Sequence, residues 1–340
     1  MISYKIINIY DLILFIYYIM DSYKFYDKIY TSDDLMFYNN NTLSQSLSIN
    51  NYLEYNKNDN KLKELYDNRI IKEKEHLDNI YIFIFNRGKQ SGGNYFHFHF
   101  HYLQRLLGFF TIHDKNIKLG IPLNMLEFQK FIIHKFIPKE RIVYLDIYKY
   151  NYEITNCYVG EYLSSYDLPN ILLEKFNNLG FEYIEKNNLE LKNENCVFIK
   201  RKNINSNAGQ NRYIINKIEF KILLDIYKFK TYTFEDDNLE NKIINLINLE
   251  PKIIIIEIGS GLTNLLFFPK EYLKKIKFII IDQHNWQLKK SRIYDIIKKL
   301  ELDHKIITCP NKIDNPKDIQ NNPFILNCDL LDNMLNEIIN

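Results

Sequence analysis

The stretch "KIIIIEI", residues 252–258, constrains the fold of this chain more than any other. Side chains on a strand alternate between its two faces, so four successive isoleucines leave neither face for water. A strand covered twice belongs to a parallel sheet, whose crossover connections are usually helices. The same signal recurs in "NIYIFIFN" (79–86), "KNIKLGIP" (115–122), "ERIVYLD" (140–146), "CVFIKRK" (196–202), "KTYTF" (230–234), "IKFIIID" (276–282) and "HKIITC" (304–309). Between these runs the spacing of apolar residues predicts helices over 94–110, 123–136, 166–181, 211–229, 238–250 and 329–339. In 211–229 the apolar positions are Ile214, Ile215, Ile218, Leu223 and Ile226. Strands alternating with helices define an α/β protein.

The alternation forms two series, and 340 residues suffice for two domains. The expected organisation is a variable N-terminal region (1–78), a Rossmann-like domain (79–190) closed by the 166–181 helix, and a second such domain (191–340). Residues 39–78, polar and asparagine-rich, read as a loop followed by a solvated helix. Near the N-terminus the uninterrupted apolar run 12–20 is shorter than the ~20 residues a membrane helix needs, so it reads as a core strand or helix. That makes a membrane partner unexpected and a cytoplasmic protein the expectation.

The charge balance, 44 basic against 42 acidic residues, lacks the basic excess of a nucleic-acid binder. Lysine is the default cation; only seven arginines occur, which makes each more informative. Cys157, Cys196, Cys309 and Cys328 are scattered without a C-x-x-C pair, so free thiols in a reducing compartment are expected.

After "KIIIIEI" come Gly259 and Gly261, then an apolar segment opened by Thr263 and Asn264. Strand, glycine turn and helix start form a unit that presents backbone N–H groups to an anion or a cofactor. Two readings stay open. "EIGSGLT" resembles the opening motif of Rossmann methyltransferases, with Asp282 at the next strand's end as the ribose ligand and S-adenosylmethionine as cofactor.

"GSGLTNLLFFP" also resembles the G-x-G-L-T-N-x-x-F-x-P signature of family 61 glycosyltransferases, and three further stretches match that family in order. "NYFHFHFHYLQRLL" matches at Asn94, His97, Phe98, Leu103, Arg105 and Leu106. "LEFQKFIIHKFIPKERIVYL" resembles its F-Q-…-ER-I-I segment. "FIKRKNINSNAGQNRYIINKIEF" matches at Arg201, Arg212, Asn216 and Glu219. The resemblance spans about residues 94–290 and marks a divergent member.

The resemblance implies a GT-B fold, two Rossmann-like domains with a nucleotide-sugar cleft between them. It implies inverting transfer, without a catalytic metal or cofactor, from a UDP-linked donor to a protein or glycan hydroxyl. Asn94, Arg201, Arg212, Asn216, Glu219 and the turn residues Gly259, Ser260, Gly261, Leu262, Thr263 and Asn264 would bind the donor. Guanidinium groups and turn N–H groups suit a leaving diphosphate; the alternative is that the arginines pair with surface carboxylates such as Glu219. His97 or His101 would serve as general base. In a regular helix His97, His101 and Arg105 align at i, i+4 and i+8. A zinc site there would need a third ligand that no motif supplies. Two positions depart from the family: Ile258 stands where histidine precedes G-x-G, and His101 where aspartate is usual. They leave open an altered donor, weakened activity, or an inactive binding protein. Sugar, acceptor and oligomeric state are not readable from the sequence.

Overall fold

The computed structural model describes residues 23–31, 37–39, 42–43, 73–83, 95–146, 149–160, 168–201, 213–283, 292–310 and 323–339. The apolar run 12–20 and most of 39–72 lie outside them. The chain divides into two compact units, Met1–Ser165 and Tyr166–Asn340.

In the first unit the strands are β1 (Tyr23–Thr31), β2 (Phe37–Asn39), β3 (Thr42–Leu43), β4 (Glu73–Asp78) and β5 (Ile80–Ile82). A helical segment, α1, then covers residues 95–111. Next come β6 (Lys118–Pro122), α2 (Glu127–Phe136), β7 (Ile142–Leu145) and β8 (Tyr150–Gly160). The sheet order is β3-β2-β1-β8-β5-β6-β7, with β4 also beside β8. It is mixed rather than parallel: β1 runs antiparallel to β8 and to β2. Two expectations fail here. Residues 73–78 form a strand, not a solvated helix, and the strand 150–160 was not read at all.

The reason lies in a paired kink. Asn79 and Asn156 are both left-handed (φ 56° and 47°). They stand opposite each other, between the pairs Asp78↔Thr155 and Tyr81↔Tyr158. Each kink reverses the parity of its strand, so the inward set passes from Leu77 to Ile80 and from Ile154 to Cys157, all within one core cluster. Asp78 ties the kink together, accepting from Thr155 Oγ1 (2.6 Å), Asn156 Nδ2 (2.9 Å) and Asn79 Nδ2 (2.7 Å).

The sheet also curls into a half-barrel. Residues 146–149 lead from β7 directly into β8, although β5 and β6 lie between these strands in the pairing order. Val143 and Leu145 of β7 reach the cluster of Tyr152 and Ile154 of β8, and Tyr152 Oη accepts from Asp146 N at 2.8 Å. On the opposite face Tyr81 and Phe83 pack against Phe109 and Phe98 of α1.

The second unit opens with α3 (Asn170–Lys186), followed by β9 (Asn195–Ile199), α4 (Lys217–Ile226) and β10 (Lys230–Tyr232). It continues with α5 (Leu239–Asn248), β11 (Pro251–Glu257), a 3-10 helix (Ser260–Phe267), α6 (Lys270–Leu273) and β12 (Lys277–Gln283). It ends with α7 (Arg292–Lys299), β13 (Asp303–Cys309) and α8 (Cys328–Ile339). All five strands are parallel, in the order β10-β9-β11-β12-β13. Numbered within the unit this is 2-1-3-4-5, one of the two common doubly wound orders. β11 is central, and Ile253, Ile254, Ile255 and Ile256 are at most 1% exposed. Ile253 and Ile255 pack towards Phe220 of α4 and Leu331 and Leu335 of α8. α5, α7 and the 3-10 helix follow the strands of the other face.

The 166–181 helix, expected to close the first half, belongs to the second unit as α3. It packs on the 3-10 helix and α5. Phe176 meets Phe267 edge-on at 4.9 Å, and at Gly180 an added Cβ would lie 1.7 Å from the Phe267 carbonyl oxygen. Only glycine lets the two backbones come this close.

Candidate functional site

In a doubly wound sheet the chain leaves neighbouring strands towards opposite faces at one point, and a crevice opens there outside the carboxyl ends of the strands. In the second unit that point lies between β9 and β11. A pocket occupies it, lined by Ile199, Lys200 and Arg201 at the end of β9, Phe234 and Glu235 after β10, and residues 256–261 at the end of β11. Its cavity volume is about 20 Å³, enough to hold a water molecule, and it is open to solvent.

The turn supplies donors. The ladder ends at Ile258, whose N–H reaches Ile281 O at 2.9 Å. Gly259 is extended (φ 158°, ψ −169°), and the 3-10 helix begins at Ser260. Its first bond runs from Leu262 N to Gly259 O (3.2 Å). The N–H groups of Gly259, Ser260 and Gly261 precede that bond and meet no acceptor among the described residues. All three residues line the pocket, and free N–H groups at a helix start are suited to an anion. Lys200 and Arg201 add positive charge from the neighbouring strand, while Glu235 and Glu257 place carboxylates on the same lining. An Ile258 side chain 1% exposed occupies the position where the family resemblance places histidine.

The predicted turn residues therefore separate into two groups. Gly259, Ser260 and Gly261 line the pocket. Leu262, Thr263 and Asn264 lie buried beneath it, at 0%, 0% and 3% exposure. Asn264 Nδ2 donates to Gly261 O (3.0 Å), whereas Thr263 Oγ1 and Asn264 Oδ1 have no partner among the described residues. Unpaired buried oxygens of this kind each cost about 1–3 kcal/mol.

Arg201 is brought to the pocket; Arg212 and Asn94 lie outside the described residues. Asn216 and Glu219 stand at the start of α4, away from the pocket lining. Asn216 Nδ2 donates to Glu219 Oε2 (2.8 Å) and Leu326 O (2.9 Å), and its Oδ1 accepts from Leu326 N (3.0 Å). Both ends of this amide serve to join the starts of α4 and α8. Asp282 is 4% exposed and absent from the lining. Burial, and after it the charges of Asp282, Cys328 and Glu257, pushes the Cys309 thiol up to about 12. All four cysteines are free.

The histidine segment departs from a regular helix. α1 starts as α-helix (Tyr95–His97), widens to a π-turn (Phe98–Tyr102), tightens to 3-10 (Leu103–Leu106) and ends as α-helix (Leu107–Thr111). A π-turn takes an extra residue. His97, His101 and Arg105 therefore lose the shared line expected of a uniform helix. His97 is half-buried; the side chain of His101 lies outside the described residues. The fully buried histidine is His99, with Nδ1 2.8 Å from Tyr95 O and its ring stacked on Phe128. Arg105 Nη1 donates to Gly160 O at 3.4 Å. Among the described residues no group of three or more His, Cys, Asp or Glu side chains could hold a metal. No helix among them is long and apolar enough to cross a membrane.

Sequence reasoning missed Lys200, Phe234 and Glu235. The basic pair in "FIKRK" was a signal for Lys200; nothing local marks the other two. A scan against protein-family models and a search of curated proteins both return no match for this chain.

Proposed function

We propose that the second unit binds the donor of a metal-independent, inverting glycosyltransferase of GT-B architecture, which moves a sugar from a UDP-linked donor to a protein or glycan hydroxyl. One observation carries this reading: three turn residues with free N–H groups and two cationic residues line one pocket at the switch point of a doubly wound sheet. N–H donors and a guanidinium fork suit a diphosphate, and the flanking carboxylates of Glu235 and Glu257 suit sugar or ribose hydroxyls. Charge developing on the leaving diphosphate would be met by groups already in place, without a metal ion. His97 or His101 of the first unit is the proposed general base. The methyltransferase reading lacks comparable support, because its ribose ligand Asp282 is buried off the pocket lining.

The test is a thermal-shift series in EDTA with UDP, GDP, CMP, their sugar conjugates and S-adenosylmethionine. At a hundredfold excess over its dissociation constant a ligand stabilises by ~2.7 kcal/mol. A nucleoside diphosphate is expected to give this shift, and Arg201→Ala to remove most of it. Stabilisation by S-adenosylmethionine alone would overturn the proposal. Silence from every ligand would favour an inactive binding protein, with Ile258 as the first position to revert to histidine.

A further inference from the structure

α4 turns two faces outward from its axis in different ways. Phe220, Leu223 and Leu224 pack into the core beneath the sheet. Ile218, Ile222 and Ile226 lie on the other side, 79%, 53% and 63% exposed. Ile218 and Ile226 read as core positions from their spacing. The helix begins only at Lys217, so its phase is set by Phe220, Leu223 and Leu224, and that phase turns both isoleucines to solvent. Three large aliphatic side chains at i, i+4 and i+8 make a continuous ridge rather than scattered exposure. Two charges flank one side of it. Lys221 and Asp225 are both exposed, and neither makes an ion pair with any described residue.

We infer that this ridge is the contact of a homodimer in which α4 pairs antiparallel with α4 of a second copy of the chain. The argument is one of register. Take a rise of about 1.5 Å per residue and a two-fold axis at the level of Leu223. The six isoleucines of the pair then interleave about every 3 Å along the axis. The same axis brings each Lys221 level with the partner's Asp225, on the same flank of the contact. Apolar residues and charges thus select one register independently, and a two-fold contact of this isologous kind is the commonest in oligomers. With only three ridge residues from each copy, the contact falls below a standard interface, so association is weak and concentration-dependent.

The test is sedimentation velocity on the full chain from low micromolar to hundreds of micromolar, with circular dichroism to verify folding. The wild type is expected to move from 41.1 kDa towards twice that mass. Ile222→Glu, near the axis, should weaken association by at least ~30-fold through a buried pair of like charges. Lys221→Asp and Asp225→Lys should each weaken it about tenfold, and the double exchange should restore it to within about twofold. These three positions are solvent-exposed, so the variants fold. A monomer at every concentration overturns the inference. So does a dimer indifferent to Ile222→Glu, and a double exchange that fails to restore association overturns the register.

Discussion

Gly261→Ala separates the folding role of the glycine turn from its binding role. A Cβ built on Gly261 meets only Ile256 Cδ1 and Phe234 Cδ2, both at 4.0 Å, which is ordinary van der Waals contact. The backbone is helical with negative φ, Gly259 being the one positive-φ glycine among the described residues. Alanine therefore fits without strain and restricts the unfolded chain, which stabilises by about 0.4–1 kcal/mol. For a unit of this size that is an increase of roughly 1–4 °C in melting temperature. The two atoms nearest the new methyl belong to pocket-lining side chains, so the methyl stands in the pocket beside the free N–H groups. A phosphate oxygen held by those N–H groups would compete with the methyl for the same space. Affinity for a nucleoside diphosphate should fall at least tenfold, or ~1.4 kcal/mol. Differential scanning fluorimetry with and without UDP reads both effects, and they have opposite signs. A lower melting temperature in the free protein would show the turn to be packed otherwise. An unchanged UDP shift would place the ligand elsewhere.

Gly180→Ala should act through packing alone. Its Cβ would stand 1.7 Å from Phe267 O, and the overpacking should cost about 1–3 kcal/mol despite alanine's better helix propensity, lowering the urea midpoint. Asn216→Ala removes both partners of the Leu326 peptide group and should destabilise the second unit by about 1–3 kcal/mol; wild-type nucleotide affinity in that variant would agree with a structural role. The Asp78 carboxyl is held below its ordinary value, chiefly by the Thr155 hydroxyl and then by Asn156. Its contribution is complete above the unfolded value of ~3.9 and is lost as pH falls through the folded value. Amide protection around residues 79 and 156, corrected for the intrinsic exchange rate, should fall in acid, and Asp78→Asn should flatten that dependence at the expense of faster exchange throughout.

The second unit was largely legible because a parallel strand covered on both faces announces itself. Each of β9 to β13 overlaps a stretch read as a strand to within a residue or two at its start, and "KIIIIEI" marked the centre of the sheet. β8 escaped because its inward residues change parity at Asn156, so neither a continuous apolar run nor a clean alternation survives. β4 is half solvated and ends at the matching kink. α3 was legible as a helix but not as part of the second unit, since its placement depends on Gly180 meeting Phe267, a contact of long sequence separation. The glycine turn was visible from its residues. That Phe234 and Glu235 share its pocket was not, because only the order β10-β9-β11 brings the end of β10 near the end of β11. The π-turn in α1 is equally silent in a sequence whose apolar spacing fits an ordinary helix.

Asn79 and Asn156, which bend neighbouring strands at one level, are not free to drift separately. Left-handed backbone restricts each to glycine, asparagine, aspartate or the few residues that tolerate it. Straightening one strand alone would turn its outer half over, presenting Ile80 and Ile82, or Cys157 and Val159, to the wrong face while the other strand kept its bend. Descent with modification must therefore treat the two positions as a single heritable character. Lineages that keep the half-barrel should show them changing together or not at all.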